Sequence, residues 1–180
     1  SNQSIKKILD QYSNILKTNS INVELVYDHS KLNKRVAKEI FNGRIIGFFS
    51  GKMEWGPRAL GNRSILADPR NKNMKEILNE KIKRRENFRP FAPSILREFT
   101  ADWFELDDDV PFMSKVFSIK SEKRNLIPAV THVDGTGRLQ TVSKVNNSNY
   151  HNLIEEFYKL SGIPILLNTS FNENEPIVNH

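Results

Sequence analysis

The chain contains no cysteine, which excludes disulfides and thiolate chemistry and fits a reducing compartment. It also lacks an apolar run long enough to span a bilayer, and it lacks the basic head, apolar stretch and small-residue cleavage site of a signal peptide. A cytoplasmic protein without membrane contact is therefore expected. There is no internal repeat and no low-complexity segment. Histidines number only four, and none stands at metal-ligand spacing from His132, so no zinc or iron site is expected. A Walker A loop is missing too, because Gly56-x-x-x-x-Gly61 is followed by Asn62-Arg63 and not by Lys-Ser/Thr.

What is present is ordinary in bulk. The 180 residues are 38% hydrophobic and 27% charged, the composition of a globular domain with one sizeable core. The formal charge of +6 favours acidic partners such as nucleotides, phosphates or nucleic acid. Most lysines, Lys72, Lys75 and Lys81 among them, fall in helical stretches where charge faces water. Ser1-Asn2 reads as the remnant of a cleaved tag, and the chain stops at residues 176–180 with no closing helix, so a domain cut from a longer protein is expected.

Residues 4–17 carry Ile5, Ile8, Leu9, Tyr12, Ile15 and Leu16 at helical spacing. Residues 22–27 read as a strand. Ser30 is placed to cap a helix with Leu32, Val36, Ile40 and Phe41 on its apolar face and Gly43 at its stop. The apolar run that follows, Ile45-Ile46-Gly47-Phe48-Phe49, has strand length. Strand, helix and strand in succession predict a parallel crossover unit. Further strands are expected at residues 64–67, 93–96, 116–119, 129–133, 139–142 and 163–167. Helices are expected from Asn73, over residues 99–106, and from about Ser148 to Gly162, with a loop at Asp107-Asp108-Asp109. The fold class is α/β, with a mixed sheet flanked by helices. Residues 1–29 form a linker helix and first strand, and residues 30–180 form the domain proper.

Four motifs carry chemistry. In Glu54-Trp55-Gly56-Pro57-Arg58-Ala59-Leu60-Gly61-Asn62-Arg63, glycine permits close backbone approach and arginine offers a planar fork for phosphate oxygens. A Gly-Pro turn with surface arginines explains it equally well. Lys83-Arg84-Arg85-Glu86-Asn87-Phe88-Arg89-Pro90 packs four cations into seven positions, and Phe88 and Phe91 should anchor the loop and aim the charges. Lys83 and Arg89 are the favoured pair, with Arg84 facing solvent. His132-Val133-Asp134-Gly135-Thr136-Gly137-Arg138-Leu139-Gln140 is a strand end, a glycine turn and a strand start. His132 alone reads as structural, but beside Asp134, Arg138 and Gln140 it gains a binding role. In Leu167-Asn168-Thr169-Ser170-Phe171-Asn172, a buried strand ends in short polar side chains, where α/β sheets commonly bind ligands. Taken alone, it is an Asn/Ser-rich turn.

Together, from about residue 30 to 178, these runs resemble the C-terminal domain of the O-carbamoyltransferases of nodulation-factor and antibiotic pathways. The runs that carry the resemblance start at Trp55, Phe88, His132 and Leu167, and most members have Phe where this chain has Trp55. The resemblance implies a YrdC-like fold, twisted and mostly parallel, as in threonylcarbamoyl-AMP synthases. Those proteins hold ATP with a Lys-x-Arg and a Ser-x-Asn element, which Lys83-Arg84-Arg85 and Ser170-Phe171-Asn172 resemble. It further implies that such a domain makes carbamoyl adenylate from carbamoyl phosphate and ATP, with Mg²⁺ entering on the nucleotide. A separate N-terminal ASKHA-type domain, which holds iron through histidines and is not matched here, would pass the carbamoyl group to a hydroxyl-bearing acceptor. On this basis Lys83, Arg138 and His132 are the expected catalytic groups. Arg58, Arg63, Arg85, Arg89, Asn168, Thr169, Ser170 and Asn172 are the expected nucleotide contacts. The competing expectation is a non-catalytic module that binds RNA or nucleotide, which the basic charge favours and the core-like spacing of the aromatics opposes.

Overall fold

The computed structural model describes residues 2–173 and 175, with side chains from residue 5 onward. The expected tag remnant at Ser1 and the last five residues lie outside the described residues. Two short helices open the chain, α1 (Asn2–Gln11) and α2 (Ser13–Thr18), and they leave Ile5, Ile8, Tyr12 and Ile15 exposed. The expected strand at residues 22–27 does not form. Val23, Leu25 and Tyr27 alternate as a strand would, yet all three are exposed and no strand pairs with them. Alternation has no consequence where no sheet edge receives it.

Helix α3 (His29–Phe41) precedes the domain's first strand. Its cap is Asp28 and not Ser30: the Asp28 carboxylate accepts from the Ser30 and Lys31 N–H groups. Strand β1 (Ile46–Phe49) then forms one edge of the main sheet, and a loop returns the chain antiparallel as β2 (Arg63–Ala67). The predicted parallel crossover is therefore replaced by a hairpin-like pair.

Helix α4 (Met74–Leu78) runs directly into a π-helical turn, Asn79–Lys83, which ends at Arg84 with φ +43°. Next come β3 (Ala92–Leu96), a 3₁₀ turn into α5 (Thr100–Trp103), and β4 (Val116–Ser118). The strand expected at residues 129–133 is a 3₁₀ turn, Pro128–Val130. Pro128 fixes φ and supplies no N–H to a ladder, which favours the turn. Strands β5 (Thr136–Arg138) and β6 (Gln140–Val142) follow, then α6 (Lys144–Ser161) and β7 (Ile165–Ser170).

Ser143 caps α6, and Asn147 at φ −153° kinks it, so its regular part starts near the expected Ser148. Gly162 at φ +71° ends it. The main sheet runs β1-β2-β7-β3-β6. Three of its four pairings are antiparallel, and only β3–β6 is parallel. The class is α/β as expected, but the mostly parallel sheet is corrected to a mostly antiparallel one. Helices α3 and α6 pack against each other, and Leu66, Leu78, Ile95, Leu153, Phe157 and Leu166 are among the fully buried core side chains.

Candidate functional site

Strand β7 sits at the centre of the sheet, so its polar end is delivered into the interior. Asn168 is 1% exposed, and its amide donates to the Ala59 carbonyl (3.1 Å), Ser94 Oγ (3.2 Å) and Gln140 Oε1 (3.1 Å). Gln140 in turn donates to the Leu60 carbonyl at 2.9 Å and accepts from Ser94 Oγ at 2.6 Å. Three neighbouring strands thus each give one polar side chain to a buried network that grips the loop between β1 and β2.

The same loop is gripped from its other side. One oxygen of Glu54 accepts from the N–H groups of Leu60 (2.7 Å), Asn62 (2.8 Å) and Arg63 (3.2 Å). A carboxylate that gathers several backbone donors acts as an internal anion around which a loop folds. Gly61, at φ +101°, lies directly over the buried ring of Tyr150. The loop that carries Arg58 is therefore rigidly held. Sequence reasoning left Glu54 and Ser94 out of the site. The available signal was an acid at the head of a glycine-rich loop with no sequence-adjacent cation.

Arg58, Arg85 and Arg138 line one cavity of about 110 Å³, together with Asn168, Thr169 and Ser170. None of these three guanidinium groups forms an ion pair with an acid among the described residues. Burial, and then the charges of Arg58 and Arg85, pull the Arg138 pKa below its ordinary value. Burial and neighbouring Arg89 do the same for Arg85. Both remain cations at neutral pH, because arginine starts so high. The buried Nε of Arg138 and the buried Oδ1 of Asn168 lack hydrogen-bond partners among the described residues. Like charges held together without a counter-charge are costly, and a bound anion would relieve that cost.

Lys83 lies behind this cavity, 1% exposed. The π-turn and the left-handed Arg84 turn its stem inward. Its ammonium donates to the carbonyls of Ser170 and Asn172, both at 2.6 Å, and to their side-chain oxygens at 3.2 and 3.1 Å. The Lys-x-Arg and Ser-x-Asn elements, 87 residues apart, therefore meet. Burial, and then the Arg85 charge, bring the Lys83 pKa down to about 8.

The remaining predicted residues fall elsewhere. Arg89 is exposed and pairs with Glu86 at 2.9 Å. Arg63 is buried over the Phe49 ring, and its guanidinium donates to the carbonyls of Ser50, Gly51 and Asn62, which ties β1 to β2. Asn172 belongs to the Lys83 cage and not to the cavity wall. His132 lines an adjoining cavity of about 150 Å³ with Pro90, Phe91, Val116 and Arg138, and its Nδ1 is 3.0 Å from Thr136 Oγ1. Burial lowers its pKa, and Arg138 and Lys75 lower it further against the pull of Asp134. Among the described residues no group of three or more His, Asp or Glu side chains could hold a metal ion, and no helix is long and apolar enough to cross a membrane.

Residues 37–180 match the family described as Carbamoyltransferase C-terminus. The chain is 55% identical over 148 residues to nodulation protein NolNO of Sinorhizobium fredii, covering 80% of this chain and 22% of that protein. It is 54% identical over 141 residues to nodulation protein NolO of Bradyrhizobium diazoefficiens, covering 76% and 26%. Protein MJ1051 of Methanocaldococcus jannaschii is 41% identical over 178 residues, covering 98% and 34%. The chain thus spans 22% to 34% of the length of these relatives.

Proposed function

The chain belongs to the carbamoyltransferase C-terminus family, and from that premise we propose that it binds ATP and carbamoyl phosphate and forms carbamoyl adenylate. The observation that carries this is the convergence of Arg58, Arg85 and Arg138 on one cavity, with no ion pair to an acid among the described residues. Such a site binds phosphate oxygens through forked, charge-assisted hydrogen bonds. In the first step, water cleaves carbamoyl phosphate to carbamate and phosphate. A carbamate oxygen then attacks the α-phosphorus of ATP, the bond to the β-phosphate oxygen breaks, and pyrophosphate leaves with its electron pair.

Chemistry of this kind needs alignment and charge neutralisation more than a side-chain nucleophile. The three arginines neutralise the phosphates. Thr169 and Ser170 offer hydroxyls at the cavity wall, and Lys83 holds the Ser170–Asn172 segment in place from behind. His132, beside Arg138, is placed for a hydrogen bond to the carbamoyl end. Mg²⁺ would arrive on the nucleotide and be held through phosphate oxygens and water. Transfer to a hydroxyl-bearing acceptor belongs to a separate N-terminal domain of the longer protein, where iron is expected, and the setting is cytoplasmic.

The direct assay is pyrophosphate release from ATP by this chain. Release is expected only when ATP and carbamoyl phosphate are both present. If carbamoyl phosphate has no effect on pyrophosphate formation, adenylate formation by this chain is ruled out.

A further inference from the structure

The turn ahead of β5 joins three polar side chains in one run of hydrogen bonds. Residues 132–136 close on themselves: the His132 N–H donates to the Thr136 carbonyl at 2.8 Å, and the Gly135 N–H donates to the His132 carbonyl at 3.0 Å. Gly135, at φ +79°, lies against Arg124, where an added Cβ would be 2.4 Å from the guanidinium carbon. The turn is therefore braced as well as closed.

Its side chains are ordered by what each can donate. Asp134 Oδ1 accepts from the Thr136 hydroxyl at 2.7 Å and from the Thr136 N–H at 3.0 Å. The hydroxyl bond, and then the N–H bond, hold the Asp134 pKa below its ordinary value, so at neutral pH the carboxylate can only accept. The hydroxyl proton of Thr136 is thereby committed to Asp134. The Thr136 oxygen, 3.0 Å from His132 Nδ1, is left to accept. A neutral imidazole has one N–H, and this contact requires it on Nδ1. Nε2 then carries the lone pair. It has no hydrogen-bond partner among the described residues and is not enclosed.

The ring lines its cavity of about 150 Å³ together with Arg138, and Arg138, Pro90 and Phe91 line the arginine cavity as well. Burial acts most strongly on the ring, and the charges that act on it are Asp134, Arg138 and Lys75, so the uncharged form is favoured.

We propose that His132 is the general base for the water that opens carbamoyl phosphate, and that Thr136 and Asp134 are positioning residues that keep Nε2 free to take the proton. The assignment rests on the adenylate reading of the arginine cavity. Nε2 removes a proton from water, and the water oxygen bonds to the carbonyl carbon. The bond from that carbon to the bridging oxygen breaks, and phosphate leaves with the electron pair beside Arg138. The carbamic acid loses its own proton to solvent and becomes the carbamate that attacks ATP.

Two measurements test this. Nitrogen-15 NMR of the imidazoles, with His132 assigned through a His132→Gln variant, reads the tautomer. The Nδ1–H form is expected in the unaltered chain, and Thr136→Ser should keep it while Thr136→Val loses it. The second measurement is pyrophosphate release. With carbamoyl phosphate, His132→Gln is expected to lower kcat about a hundredfold while keeping its affinity for a non-hydrolysable ATP analogue. With carbamate supplied from ammonium hydrogen carbonate in place of carbamoyl phosphate, the water step is bypassed, and the variant should recover most of the lost rate. An Nε2–H tautomer in the unaltered chain, or a His132→Gln defect that carbamate does not relieve, would overturn the base assignment and leave the arginine site standing. No pyrophosphate from carbamate and ATP with the unaltered chain would remove the adenylate reading and the base assignment together.

Discussion

Gly61→Ala is expected to destabilise the fold by about 3–5 kcal/mol, enough to lower Tm by roughly 10 °C in a chain of this size. Two independent costs add. The backbone at Gly61 holds φ +101°, which a side chain rarely adopts. A methyl group there would also lie 2.2 Å from the Tyr150 ring, which is fully buried on α6 and has no open space to enter. The loop must then lift, and with it the Leu60 and Asn62 N–H groups bound by Glu54 and the Leu60 carbonyl bound by Gln140. Thermal unfolding by circular dichroism measures the first effect. A loss of anion affinity in the folded variant at low temperature would report the displaced Arg58. An unchanged Tm would mean that the loop is far softer than its hydrogen bonds indicate.

Lys83→Met is expected to lower kcat/KM for pyrophosphate release by roughly a hundredfold, about 3 kcal/mol of transition-state stabilisation. Methionine keeps most of the buried stem but cannot donate to Ser170 and Asn172, so the segment that lines the cavity loses its anchor. The pH dependence gives a second signature. With a pKa of about 8 in the folded chain, Lys83 loses its proton as pH rises through 8, and kcat/KM should fall above that value. Stability moves the other way. The folded pKa is depressed below the ordinary lysine value of 10.5, so between about 8 and 10.5 the unfolded chain binds more protons. Lys83 alone therefore makes stability rise with pH across that window. Activity that falls while stability rises distinguishes Lys83 from general alkaline unfolding, and both trends should vanish in Lys83→Met. A kcat/KM profile that is flat from pH 7 to 9.5 would show that the ammonium is not needed.

The sharing of one site by Arg58, Arg85, Arg138, Asn168, Thr169 and Ser170 was expected from the family resemblance, because the residue types suit an anion but the Arg58 and Asn168–Ser170 motifs read equally well or better as turns when taken alone. The meeting of Lys83 with Ser170 and Asn172 was legible only through the family resemblance. The sequence offers Arg85 and Arg89 alike as nucleotide contacts, and only the structure separates them, with Arg85 lining the cavity and Arg89 paired with Glu86. The direction each arginine takes depends on the π-turn and on the left-handed Arg84, which no propensity in Lys83-Arg84-Arg85 announces. Strand direction was hidden for a similar reason. Alternation at Val23, Leu25 and Tyr27 is the same whether or not a neighbour exists, so the imagined crossover could not be told from the real β1–β2 pair. Glu54 stayed out of the site because its partners are backbone N–H groups, which carry no residue-specific signal.

The central claim, that Arg58, Arg85 and Arg138 form an anion site for the phosphates of ATP, is tested most directly by calorimetric titration of a non-hydrolysable ATP analogue into the unaltered chain, Arg85→Ala and Arg138→Ala. Each single substitution is expected to weaken binding at least tenfold, and binding to the unaltered chain should weaken as salt rises. Equal affinity in all three proteins would contradict the account.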